Sequence, residues 1–200
     1  MTDRPGFLPP HHEDDPWTRV ETRHGFRADE LVSTLQKEIR RGHVENAAVT
    51  AYEMASSSAA LDDHLWKRLR IISAEDIGFG NPSAALLVDA LARMRLEFPW
   101  PSGERFLFAI HAVRALADST KDRTSDEMTG WIMRAVDEDG LRPGIPDHAY
   151  DQHTRRGQEM GRDFGHWFLE GAKVEPELAD RDRTYRQRLL AWHGLEEPDG

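Results

Sequence analysis

The chain has 200 residues, 38% of them hydrophobic, with 36 acidic against 26 basic side chains, a formal charge of −10 and no cysteine. That length suffices to bury one helical core, while the missing thiols exclude disulfides, thiolate metal sites and cysteine nucleophiles. The acidic balance argues against a general phosphate-backbone binder, whose affinity rests on Lys and Arg displacing counterions, and no run reaches the roughly 18 apolar residues of a membrane span, so a cytosolic protein is expected.

Residues 1–27 carry Pro5, Pro9, Pro10 and Pro16 with the acidic run Glu13-Asp14-Asp15, a composition that predicts a flexible arm. Trp17, Val20 and Phe26 are its candidates for docking on the body. From Asp29 the spacing turns helical: Leu31, Val32, Leu35 and Ile39 form a stripe, with Asp29 as cap and Gly42 as stop. An antiparallel partner follows over 45–56, where Ala47, Ala48, Ala51 and Met54 offer a small-residue face for close packing.

Asp62 or Asp63 is the expected cap of a third helix built on Leu65, Trp66, Leu69 and Ile72, with Lys67, Arg68 and Arg70 looking outward. Asn81 then caps, and Pro82 opens, a fourth helix with Leu86, Leu87, Leu91 and Met94 on its face, because proline at the first helical position removes an amide that would be unpaired anyway. Ser102 starts a fifth, with Phe106, Ile110, Val113 and Leu116 inward. Thr124 and Glu127 form a capping-box pair for a sixth, which carries Met128, Trp131, Ile132 and Val136 and places Trp131, like Trp66, in the core. After Asp139 the glycines and prolines at 140, 143, 144 and 146 enforce turns; part of 153–168 is expected to be helical, 185–192 forms a terminal helix, and 196–200 frays. The fold class is therefore all-α: an array of antiparallel helix pairs over 28–139, with an irregular, loop-rich extension over 140–200 packed on it.

The most informative stretch is the corner Ser73-Ala74-Glu75-Asp76-Ile77-Gly78-Phe79-Gly80-Asn81-Pro82 between the third and fourth helices. Its adjacent carboxylates suit metal ligation, acid/base work, or anchoring of the backbone amides at the next helix start. The last has the best physics, since negative groups near a helix N-terminus meet its unpaired N–H groups and its dipole, while Gly78 and Gly80 can take the positive φ of a tight bend. Glu75, Asp76, Gly78, Asn81 and Pro82 are thus read as a structural corner, with the two carboxylates pointing apart.

A helix pair, a basic-apolar helix, this acidic corner and an Asn-Pro helix start together resemble the C-terminal helical region of AAA+ ATPases of the replication-associated recombination protein A family (MgsA, Werner helicase-interacting protein), which act at stalled replication forks. The likeness continues through Ala115-Leu116-Ala117-Asp118-Ser119-Thr120-Lys121 and Ile145-Pro146-Asp147-His148 to Gly165-His166-Trp167-Phe168, so it covers roughly residues 28–178. It implies a collar-like helical array of the clamp-loader kind. In the full ATPases this region is associated with tetramer formation, so the likeness also implies self-association or binding to a separately encoded replication or repair ATPase. No G-x-x-x-x-G-K-[ST] phosphate loop occurs in the chain, so ATP hydrolysis and a nucleotide cofactor are not expected.

Trp100, His153, Arg155, Arg156, Arg162 and Trp167 are the candidate contact residues: indoles supply large interface area, and arginines offer planar forks for an anionic partner. An enzyme reading centres on His148, Asp151, His153 and His166 as a metal- or phosphate-dependent hydrolase, although the histidine spacing fits no compact zinc pattern and no metal is expected. A single-stranded nucleic-acid binder using the arginines and exposed tryptophans is a third reading, disfavoured by the net charge. Basic candidates for such a strip include Lys67, Arg68, Arg70, Lys121 and Arg123.

Overall fold

The computed structural model describes residues 15–196; 1–14 of the expected arm and 197–200 of the expected frayed end lie outside the described residues. Among the described residues the regular structure is helical, apart from an isolated antiparallel bridge between Glu21 and Arg27. The chain divides into two compact units, Met1–Asp139 and Gly140–Gly200.

In the first unit, a 3-10 turn at Pro16–Arg19 is opened by Asp15, whose carboxylate accepts the Trp17 N–H at 3.0 Å. The Trp17 ring stacks on His64 at 4.0 Å, and the Ala28 N–H reaches the Val20 carbonyl at 2.9 Å, so this part of the expected arm lies against the helices. Helix α1 (Ala28–Arg41) buries Leu35 and Ile39 and stops at Gly42, whose φ of 75° turns the chain within two residues into α2 (Val44–Ser57). Asp29 is not its cap: the helix begins one residue earlier, and the Asp29 carboxylate holds the Arg27 guanidinium at 3.0 Å instead.

Helix α3 (Ala59–Ile72) corrects the expected cap at Asp62 or Asp63. Ser58, three residues ahead of Leu61, accepts the Leu61 N–H at 3.1 Å, which lengthens the helix and carries Asp62 into its buried face. Helix α4 (Ala84–Met94) starts later than the Asn-Pro pair suggests. Asn81 takes the Ser83 N–H on its side chain at 3.2 Å and the Ala84 N–H on its carbonyl at 3.0 Å, so Asn81 and Pro82 shape the turn before the helix. The inward face is then Ala84, Val88 and Leu91, and Leu86, expected inside, is 74% exposed on the far side, with Met94 also exposed.

Helix α5 (Gly103–Asp118) is capped by Ser102 and buries Ala109, Ala112, Val113 and Leu116, while Phe106 and Ile110 are half-buried at the rim. The core gathers around α2, which packs against α1, α3 and α5; alanines 47, 51 and 55 of α2 and 109 and 112 of α5 keep the backbones close. Helix α6 (Thr124–Asp137) lacks the expected capping box: Asp122 Oδ1 accepts the Thr124 N–H at 2.9 Å, and Thr124 makes no side-chain cap. Trp131 is not in the core but 60% exposed.

The second unit holds a 3-10 turn (Asp147–Ala149), the short helices α7 (Arg155–Glu159) and α8 (Phe164–His166), a π-helical turn (Trp167–Gly171) continuing α8, and α9 (Thr184–His193). Thr154 caps α7 through the Gly157 N–H at 3.0 Å, and Gly194, with φ 64°, ends α9. An α carbon substituent at Gly157 would come within 1.9 Å of the Asp151 carbonyl oxygen, which explains the bare backbone there.

Candidate interaction site

The acidic corner is a π-helical turn, Ser73–Ile77, that continues α3 and runs into a 3-10 turn, Gly78–Gly80. Asp76 is fully buried. Its Oδ1 accepts from Arg40 Nε and from Arg123 Nη1 at 2.7 Å, and its Oδ2 from Gln36 Nε2 at 3.0 Å. Glu75 Oε1 accepts from the same Gln36 amide at 2.6 Å and from Arg40 Nη2 at 3.2 Å, while Arg68 donates to Gln36 Oε1 at 2.6 Å. The two carboxylates therefore converge, contrary to expectation, and they hold guanidinium groups from α1 and the start of α6 rather than helix-start amides. The physical reason is burial: a carboxylate removed from water needs charged donors, and the Ser83 and Ala84 amides are already satisfied by Asn81. Burial works to raise the Asp76 carboxyl, but hydrogen bonds from Arg40, Gln36 and Arg123 outweigh it and hold the group below its ordinary value.

The glycines let the corner press on the connector between α5 and α6. A Cβ on Gly78, which sits at φ 49°, would lie 2.4 Å from the Asp122 carbonyl oxygen, and one on Gly80 would lie 2.4 Å from that of Thr120. The Asp122 N–H donates to the Asp76 carbonyl at 3.1 Å, and Asn81 Nδ2 to Ser119 Oγ at 2.9 Å. Lys121 caps the end of α5, its ammonium reaching the carbonyls of Leu116 at 3.1 Å, Ala117 at 2.8 Å and Ser119; burial pushes its pKa down. Lys121, Arg123 and Arg68 are thus internal clasps, and Arg70 pairs with Asp89 at 3.1 Å, so these members of the expected basic strip are engaged by their own chain.

Sequence reasoning missed a second ionic cluster. Asp62, fully buried, accepts on Oδ2 from Arg95 Nη1 at 2.8 Å, Arg105 Nε at 3.0 Å and Arg105 Nη2 at 2.8 Å, and both arginines are themselves buried. Arg95 also lies over the Trp66 ring at 5.6 Å. The signal was present: Asp62 falls inside the stripe Leu61, Leu65, Trp66, Leu69, where a solvated cap has no place.

Of the six expected contact residues, Trp100 belongs to the first unit and the other five to the second. Trp100 is half-buried and donates its indole N–H to the Ala55 carbonyl at 2.8 Å, closing the end of α2. Arg162 grips Asp147 through two 2.6 Å hydrogen bonds and the Tyr150 carbonyl at 2.7 Å, holding the Asp147 carboxyl below its usual range. Arg156 lies over the Tyr150 ring at 4.5 Å. His153 pairs with Asp151 at 3.2 Å and meets Trp167 edge-on at 5.4 Å; Arg155 projects into solvent beside Glu159. His148 and His166 do not join them: among the described residues no three His, Asp or Glu side chains are placed to hold one metal ion.

Among the described residues, exposed apolar side chains form stripes on α6 and α9. On α6, Met128 is 57% and Trp131 60% exposed, with Ile132 beside them, and a depression of about 520 Å³ lies between Gly130, Trp131, Arg134, Ala135 and Asp139. Helix α9 seats Leu190 inward, lays Arg186 over Phe168 at 4.7 Å and stacks His193 on Phe164 at 4.0 Å. Its other face carries Tyr185, 69% exposed, Leu189, and Trp192, 84% exposed. Helical periodicity identifies such stripes but does not say whether the chain itself covers them, and Trp131 is exposed where its spacing predicts core. No described helix is long and apolar enough to cross a membrane.

The family described as "MgsA AAA+ ATPase C terminal" matches over residues 45–175, more than half of the chain, a span that holds the Asp62 cluster, Glu75, Asp76, α6 and the start of the second unit. A search of curated proteins gives no match.

Proposed function

The chain belongs to the family of the MgsA AAA+ ATPase C-terminal region, and from that membership we propose that it is a non-catalytic docking and oligomerisation module of the cytoplasm. It joins copies of itself, or a separately encoded replication or repair ATPase, and turns over no substrate. One observation carries this reading: the exposed apolar side chains at Met128, Trp131 and Ile132 recur at helical spacing on one stripe of α6. A contiguous apolar stripe of this kind on a soluble protein marks a surface used by a partner. The charged groups that a reaction would recruit are otherwise engaged, Asp76 by Arg40 and Arg123 and Asp62 by Arg95 and Arg105, which supports scaffold over catalyst.

Light scattering coupled to size exclusion on the full chain tests the reading, together with co-purification of a co-expressed AAA+ ATPase. The expected result is a mass above the monomer or a stable complex. A strict monomer at near-millimolar concentration that also captures no ATPase would overturn it.

A further inference from the structure

We infer that the exposed stripe of α6 receives the exposed stripe of α9 from a second copy of this chain; the inference rests on the self-association reading above. The two stripes are complementary in chemistry. Helix α6 and the two residues after it carry Asp126, Glu127, Asp137, Glu138 and Asp139 against the single base Arg134. Asp126 is engaged by Arg123, but Glu127 and Glu138 flank the Trp131 edge of the stripe at helical spacing and are exposed. Helix α9 has no acidic residue between Thr184 and His193. Its exposed side combines Tyr185, Leu189 and Trp192 with Arg188, at intervals of three and four, and the Arg188 guanidinium lies over the Tyr185 ring at 5.5 Å. An acidic apolar face thus matches a basic apolar face, the arrangement that fixes register between helices and disfavours the pairing of like with like.

Both halves of the match are exposed on one and the same chain, so each copy carries both the donor stripe and the stripe that receives it. The depression bounded by Gly130, Trp131, Arg134 and Ala135 offers the Trp192 indole a seat, where Arg134 meets its ring face. An aromatic side chain buries roughly 150–250 Å², so Trp131 on one copy with Tyr185 and Trp192 on the other supply on the order of 600 Å² to such a contact before Met128, Ile132 and Leu189 are counted.

The test is charge reversal with rescue on the full chain, read by light scattering and by sedimentation over a concentration series. Arg188→Glu alone, and Glu127→Lys with Glu138→Lys, should each weaken dimerisation by roughly tenfold or more, and the three changes together should restore most of it. Trp192→Ala, at a position too exposed to matter for folding, should also shift the wild-type dimer toward monomer with an unchanged circular dichroism spectrum. Wild-type oligomers whose affinity ignores all of these variants would overturn the α6–α9 contact while leaving self-association standing. A wild-type chain that stays monomeric throughout would overturn both.

Discussion

Asp76 is the residue on which the first unit turns, because one buried carboxylate collects donors from α1 and from the start of α6 while its backbone carbonyl takes the Asp122 amide. Removing one partner of a buried ion pair strands the others, and Asp76→Asn is expected to lower stability by roughly 3–5 kcal/mol at neutral pH, measured by urea unfolding. The sign with pH follows from the depressed carboxyl: the contribution is complete above the ordinary value of 3.8 and is lost as pH falls through the lower folded-state value. The gap between wild type and variant should therefore stay constant from neutral pH to about 5 and close only in strong acid; a gap that persists when the carboxyl is protonated would mean that shape, not charge, is the contribution. Asp62→Ala should cost a similar amount, since it leaves Arg95 and Arg105 buried without their shared acceptor. The sequence points to Asp76 but not to its partners, because residues 36 and 40, neighbours on α1, are far along the chain from 76 and 123, and only packing of the helices brings them together.

Elements were more legible than their ends or their outward faces. The stripes Leu35–Ile39, Leu65–Trp66–Leu69 and Val113–Leu116 are buried as their spacing requires. The starts of α3, α4 and α6 each slipped, because two or three candidate oxygens lie within a turn of one another and local chemistry alone does not rank Ser58 over Asp62 or Asp122 over Thr124. Glycine shows the same limit from another side. Gly80 and Gly130 look alike in sequence, yet a methyl at Gly80 meets the Thr120 carbonyl oxygen at 2.4 Å and one at Gly130, inside α6, meets nothing within 4 Å. Gly80→Ala should destabilise by about 1–3 kcal/mol through overpacking against the connector. Gly130→Ala should instead stabilise by roughly 0.4–1 kcal/mol by reducing the freedom of the unfolded chain. Thermal unfolding of the two variants side by side checks the pair, and equal shifts in one direction would contradict the placement of the corner against residues 119–122.

At the scale of the whole molecule, the two compact units differ in what holds them. The buried core around α2, the Asp76 and Asp62 clusters and the Lys121 cap all lie within 1–139. Within 140–200 the buried apolar side chains among the described residues are Phe168 and Leu190, and order comes largely from local devices: the Arg162 grip on Asp147, the Thr154 cap and the aromatic contacts of Phe164. A segment of about 60 residues buries too little surface to offset its chain entropy unless a dense core or a staple assists it. Residues 1–139 expressed alone are therefore expected to unfold cooperatively in urea with helical circular dichroism retained, and their denaturant slope should fall in proportion to the surface removed. Residues 140–200 alone should show no cooperative transition and little helix. The opposite outcome, a folded 140–200 fragment beside an unfolded 1–139, would mean that the aromatic cluster of Phe164, Trp167 and Phe168 outweighs the α2-centred core, against every burial difference between the two units.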